Sequence, residues 1–316
     1  MRPIAVAGLA LVLVGLAACS GAPDTERAEQ RLSGVDGVLD ADAAWVGGSF
    51  KVAPSAAVSV AVGDDLTAQE ASELAPGLLD TLADLDWEAS PALAVELDDD
   101  ADATPFLPRR PDDDPGPRPT DVSTYSTGPG DLDRRDLAGD LALLVGATQV
   151  LEAPAQLEVT GADEATLTAV LPTDAAASGV LVREVSTDQA LSGTGLRWRL
   201  TGPDLALEVE SGLTPEVADL WALVAEDTAE LGGLARGRVV LSVDDEQPLR
   251  LVRLELTADA PAARAAAGVT GPARRLYERL ATAGVDELEV VVTGADTQVR
   301  RAFSADPVTT RWEPGA

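Results

Sequence analysis

Two hydrophobic periods alternate along this chain. In Ala57–Val62, Val58, Val60 and Val62 alternate with smaller residues, the period of a half-buried strand. Just beyond, Leu74, Leu78, Leu82 and Leu85 recur at helical spacing. Thr67 stands at the start of that helix, and Glu70 completes a capping box. Pro76-Gly77 falls inside it and predicts a kink or a split, because proline removes a donor and crowds the preceding turn. A helix over Glu26–Leu32 and strands over Val38–Val46 and Leu93–Leu97 complete this first region.

After residue 130 the same alternation resumes. A helix is expected near Asp131–Thr148, then strands at Ala155–Thr160 and Ala165–Leu171. Leu196–Thr201 and Leu205–Val209 flank Gly202-Pro203-Asp204 as a hairpin. Thr214 caps a helix over Pro215–Leu231, with proline at its first position and Val217, Leu220, Trp221, Val224 and Leu231 on its apolar face. Arg238–Val243 and Leu249–Leu256 form another hairpin. Its second strand changes parity near Val252, which predicts a bulge or burial on both faces. A helix at Pro272–Ala283 leads to strands at Glu287–Val292 and Gln298–Phe303. The fold class expected is α+β, with small antiparallel sheets each packed by helices on one face.

Residues 99–130 break the pattern with Asp98-Asp99-Asp100, Asp112-Asp113-Asp114 and repeated prolines. Proline cannot donate to a ladder and clustered carboxylates resist burial, so an acidic linker or long loop is expected. The resulting division is 1–18, 19–25, a small α+β domain over 26–98, the linker over 99–130, and a larger α+β domain over 131–316.

Two internal echoes cross this division. Val58-Ser-Val-Ala-Val62, followed by Leu66-Thr67 and a helix, is echoed 147 residues later by Leu205-Ala-Leu-Glu-Val209, followed by Leu213-Thr214 and a helix. Val-Thr-Gly-Ala-Asp occurs at Val159–Asp163 and again at Val292–Asp296. A genuine duplication would imply stacked or facing α/β units. Strand, turn and capped helix are also generic enough to repeat without one.

The chain has 316 residues and a net charge of −31. Such a polyanion repels phosphate backbones, which excludes nucleic acid as a partner. High negative charge can draw cations or a basic partner, and it also keeps a secreted protein soluble. Ile4 is the sole isoleucine and Lys51 the sole lysine, with neither Asn nor His anywhere, so the core must be built from Leu, Val and Ala. This usage, rich in Ala, Arg, Gly and Pro, resembles that of high-GC actinobacteria.

The apolar run from Ile4 to Ala18 follows Arg2, is too short to span a bilayer and ends in Leu16-Ala17-Ala18-Cys19. That order resembles the signal sequence and lipobox of bacterial lipoproteins. The resemblance implies cleavage between Ala18 and Cys19, a diacylglycerol on the Cys19 sulfur, and attachment to the outer face of the cell membrane. Two acyl chains hold a protein stably where one is marginal. Cys19 is also the sole cysteine, so no disulfide can form within the chain.

The absences exclude much chemistry. Without His there is no Ser-His-Asp site and no histidine-bound zinc. Neither a Gly-rich phosphate loop nor a Gly-x-Ser-x-Gly elbow occurs, and Ser49 stands two residues from Lys51 rather than three. Asp98, Asp100 and Asp102 have calcium-loop spacing, but Ala103 and Arg109 occupy the positions that need glycine and a bidentate acid. Trp45, Trp87, Trp198, Trp221 and Trp312 can stack on sugars or headgroups, or anchor the core. Arg197-Trp198-Arg199 on a strand puts both arginines on one face, as an anion site or as a solvated face over a buried tryptophan. Arg274-Arg275 and Arg300-Arg301 are expected to be exposed and paired with acids.

No catalytic residue, metal site or cofactor is therefore expected. The leading expectation is a non-catalytic, lipid-anchored envelope protein that works by contact with another envelope protein. The alternative is a carrier of lipid or another apolar ligand. Asp131–Leu171 and Arg238–Leu256 resemble parts of actinobacterial lipoproteins whose half-barrel holds acyl chains. A solute-binding component of an importer and a carboxylate-only enzyme are the remaining readings.

Overall fold

The computed structural model describes residues 24–46, 55–85, 87, 91–98, 122–162, 164–172, 174–189, 191–192, 196–202, 205–209, 212–228, 231, 236–243, 250–305 and 312–314. In chain order the elements are α1 (Thr25–Leu32), β1 (Val38–Val46), β2 (Ser55–Val62), α2 (Ala68–Ala83), β3 (Ala92–Leu97) and β4 (Ser123–Thr127). Then come α3 (Leu137–Leu151), β5 (Ala155–Val159), β6 (Ala165–Val170), α4 (Ala175–Thr187), β7 (Leu196–Thr201) and β8 (Leu205–Val209). Last are α5 (Pro215–Thr228), β9 (Arg236–Val243), β10 (Arg250–Thr257), α6 (Ala262–Thr282), β11 (Glu287–Thr293), β12 (Gln298–Ser304) and the short β13 (Glu313–Pro314).

These elements form six consecutive helix–strand–strand units. Within each unit the two strands pair antiparallel: β1–β2, β3–β4, β5–β6, β7–β8, β9–β10 and β11–β12. Between units the pairing is parallel: β2–β3, β4–β5, β6–β7, β8–β9 and β10–β11. The strands therefore follow chain order across one open sheet. A helix carries each parallel crossover, as a parallel connection requires. Because every crossover advances the same way, a common hand places all the helices on one face. Each helix packs on the next, from α1 through α6.

One core lies between helices and sheet. Val58, Val60 and Val62 of β2, Leu93 and Val95 of β3, Leu157 of β5, Leu167 of β6, Trp198 and Leu200 of β7, and Leu288 and Val290 of β11 all enter it. The α+β class stands, with helices on one face. The antiparallel hairpins predicted as small sheets are joined into a single sheet by the parallel pairs.

Several local expectations hold. Thr67 and Glu70 form the capping box: the Glu70 amide donates to Thr67 Oγ1 at 3.2 Å, and the Thr67 amide to Glu70 Oε2 at 2.8 Å. Others need correction. Pro76 does not split α2, which runs unbroken. The proline ring is exposed, while Leu74, Ala75, Leu78 and Leu82 are buried on either side and hold both halves to the sheet. Likewise α6 starts ten residues before Pro272, and the carbonyl that this proline leaves free belongs to the exposed Gly268. No bulge occurs near Val252, since β9 and β10 pair without a register shift. Val252, Leu254 and Leu256 enter the core, while Leu251 lies half-buried on the opposite face.

Three elements are absent from the sequence expectations, the short β13 among them. Ser123–Thr127, assigned to the linker, is strand β4 and pairs with β3. Residues 99–121 thus connect neighbouring strands of one sheet. The hydrophobic spacing also predicts no helix where α4 lies. Its Ala, Ser, Gly, Val and Thr residues give a weak helical stripe, but Asp174 caps it by accepting from the Ala177 amide at 2.8 Å.

Helix α3 ends at Glu152 in the left-handed conformation, φ 47°. A side chain is strained there, and glycine is not. Glu152→Gly is expected to raise stability by about 0.5–1 kcal/mol in urea denaturation. An unchanged or lower midpoint would show that the exposed Glu152 side chain makes a compensating contact.

Candidate functional site

Every second strand residue points away from the helices and builds the other face of the sheet. The register makes this face a set of rows. One row runs from Asp40 through Ala61, Glu96, Thr124, Gln156, Thr168 and Arg199 to Glu208. A second runs from Asp42 through Ser59, Ala94, Ser126, Glu158 and Thr166 to Arg197. Beyond, Arg253 stands opposite Glu289. None of the described helices packs on this face.

Its character changes along the sheet. In the first units it is lined by small buried residues: Ala57, Ala61, Ala92 and Ala94, with Ser59, whose hydroxyl is buried and has no hydrogen-bond partner. From β4 onward it becomes polar and more open. Thr124, Ser126, Gln156, Thr166 and Thr168 are half-buried, and Glu158 and Arg197 are exposed. Arg199 Nη2 lies 3.6 Å from the buried Glu208 carboxylate, and Arg253 Nε lies 3.1 Å from Glu255 and 3.5 Å from Glu289. The face therefore offers hydroxyls, amides and both signs of charge at strand spacing. These side chains support hydrogen bonding and ion pairing.

A second polar cluster sits on the helix side. Arg135, just before α3, grips the Asp140 carboxylate with two bonds, Nη2 to Oδ1 at 2.6 Å and Nε to Oδ2 at 3.1 Å. Its Nη1 donates to the Ala162 carbonyl in the β5–β6 turn at 3.1 Å. The Tyr125 hydroxyl is buried facing Asp140 without hydrogen-bond geometry to it. Burial pushes this phenol well above its ordinary value, and the Asp140 charge adds to the effect. The cluster fastens the start of α3 to the β5–β6 turn. Sequence reading missed it, although an arginine five residues before an acid at a helix start was visible.

The equivalent turn between β11 and β12 is fastened differently. The Ala262 amide at the start of α6 donates to Asp296 Oδ1 at 3.0 Å, and the Ala295 amide to the Ala260 carbonyl at 3.3 Å. The Ala262 bond is the main cause holding the Asp296 carboxyl below its usual range. That stabilisation is present at neutral pH and is lost as acid protonates the carboxyl.

The sequence candidates are distributed as follows. Ala18, Cys19, Ser49, Lys51, Asp100, Asp102 and Asp112–Asp114 lie outside the described residues. Among the described residues no three metal-ligating side chains converge, and no helix is long and apolar enough to cross a membrane. Trp198 and Trp221 are core residues whose indole N–H groups are buried without partners, and Trp87 and Trp312 pack against the core. Trp45 is half-buried on β1. Arg197 and Arg199 share the helix-free face over buried Trp198, as the strand period implied. Arg274 pairs with Glu278 at 3.4 Å, and Arg301 sits 4.9 Å from the Phe303 ring centroid.

Both echoes join equivalent places in the fold. Val58–Val62 lies in β2 and Leu205–Val209 in β8, each the second strand of its unit and three units apart. Of the second echo, Val159–Ala162 and Val292–Ala295 lead from β5 and β11 into their hairpin turns, again three units apart. Compared with known proteins, the chain matches no family model, no curated protein and no solved structure.

Proposed function

We propose that this chain is a lipid-anchored protein of the cell envelope that works by contact, with the helix-free face of its sheet as the contact surface. One observation carries the reading. Helices α1–α6 cover one side of the sheet, whereas the other side carries rows of Thr, Gln, Glu and Arg from β4 to β8 with no described helix over them. A polar sheet face of this extent suits a protein partner more than an acyl chain, which gains nothing beside Glu158, Thr166, Arg197 and Arg199. The anchor rests on Leu16-Ala17-Ala18-Cys19 behind its apolar run.

The two halves of the proposal are tested separately. Cys19→Ser should abolish fatty-acid labelling and release the protein from membranes of a bacterial host. Wild type that takes up no label would overturn the anchor. A photocrosslinking residue placed at Arg197 in cells should give discrete protein adducts, and one at Val180, exposed on α4, should give none. Equal adducts from both positions, or none from Arg197, would overturn the contact face.

A further inference from the structure

The unit repeat says something about the two ends of the sheet. In every internal joint the second strand of one unit receives the first strand of the next in parallel, five times over. Strand β12 is the second strand of the last unit and presents the same kind of edge. Strand β1 is the first strand of the first unit, and α1 packs on it, burying Ala28 and Leu32. A β12 edge meeting β1 of another molecule would repeat the joint that the chain already makes within itself. Charge fits as well. On the helix-free face β12 carries Arg300, opposite Val291 of β11, while β1 carries Asp40 and Asp42. Opposite charges on adjacent strands favour pairing.

Both edges are blunted. The Trp312 indole N–H donates to Thr270 Oγ1 of α6 at 3.0 Å and its ring packs against the core. This pins Glu313–Pro314 antiparallel along β12, with Glu313 opposite Arg300 and Pro314 opposite Val299. Proline has no N–H to pass the ladder on, so the segment stops the sheet rather than extending it. At the other end the Ala43 amide donates to Glu29 Oε1 at 3.3 Å rather than to a strand. Edge-strand protection of this kind prevents association between molecules.

We propose that the β12 edge is a docking site for β1 of a second copy of this chain, held shut by the chain's own Trp312–Pro314. The contact is head-to-tail, so it builds open chains rather than closed pairs. It is independent of the anchor and of the contact face.

The test compares the full chain with one ending at Ser304, both carrying Cys19→Ser, by sedimentation over a range of concentrations. The full chain should keep one mass. The shortened chain should show a mass that rises with concentration, roughly doubling or more. Adding a peptide of residues 305–316, or changing Asp40 and Asp42 to lysine in the shortened chain, should restore the single mass. Should the shortened chain fail to fold by circular dichroism, Trp312→Ala with Glu313→Arg in the full chain unclips the segment instead and should give the same rising mass. A folded protein of constant mass overturns the proposal. So does association that neither the peptide nor the lysine substitutions reverse.

Discussion

Replacing Asp140 with alanine is expected to cost about 3–5 kcal/mol of stability, the range for breaking a buried ion pair from one side. The Asp140 side chain is 7% exposed and that of Arg135 17%. The cost comes less from the lost attraction than from the guanidinium left behind without its carboxylate. The bond from Arg135 to the Ala162 carbonyl does not replace that carboxylate. The double replacement Arg135→Met with Asp140→Leu should recover most of the loss, because it removes both charges together. Urea denaturation of the four proteins gives the coupling directly. A loss below about 1 kcal/mol for Asp140→Ala would mean the pair behaves as a surface contact.

Gly294→Ala is the second large effect. A β-carbon there would lie 2.2 Å from the Ala262 nitrogen, 2.6 Å from the Ala260 oxygen and 2.7 Å from the Ala262 α-carbon. All three are backbone atoms at the start of α6, so no rotamer change relieves the clash. The turn is also bonded to that backbone through Ala295 and Asp296. We expect a loss of about 3 kcal/mol or more, at the upper end of overpacking costs. The echo supplies the control. Gly161 occupies the matching place in Val159–Asp163, and its nearest neighbour would be Glu164 Cβ at 3.9 Å. Gly161→Ala should change stability by less than about 0.5 kcal/mol. Equal melting temperatures for the two variants would show that the β11–β12 turn yields more easily than its packing indicates.

The contrast between these glycines marks what a repeated sequence leaves open. The two Val-Thr-Gly-Ala-Asp segments are identical in letters and equivalent in topology. One is clamped onto its helix through the Asp296 carboxylate and the Ala295 amide, and the other is reached by the long arm of Arg135. Which clamp each unit uses depends on residues some thirty positions away, and no local period reports that. The candidate contact face was legible one strand at a time. The alternation in Arg197-Trp198-Arg199 placed both arginines opposite the tryptophan, and β7 confirms it. That these strands share a face with Thr124, Gln156 and Glu208 was not legible, because it follows from pairing between strands of different units.

The sequence by itself determined the local elements wherever spacing and caps agreed. The Thr67–Glu70 box, the valines of β2 and the hairpins after residue 130 all follow from contacts within a few residues. It misjudged Pro76 and Pro272, because a proline's cost depends on whether the carbonyl it frees faces water, and burial decides that. It also passed over β4 and α4, whose weak stripes are completed by neighbours. Only the tertiary structure decided that the hairpins join through parallel crossovers into one sheet. Strand pairing is a long-range choice, made by burying one face of every strand under a shared layer of helices. A chain read locally shows the periods of its strands but not the partners that those strands will find.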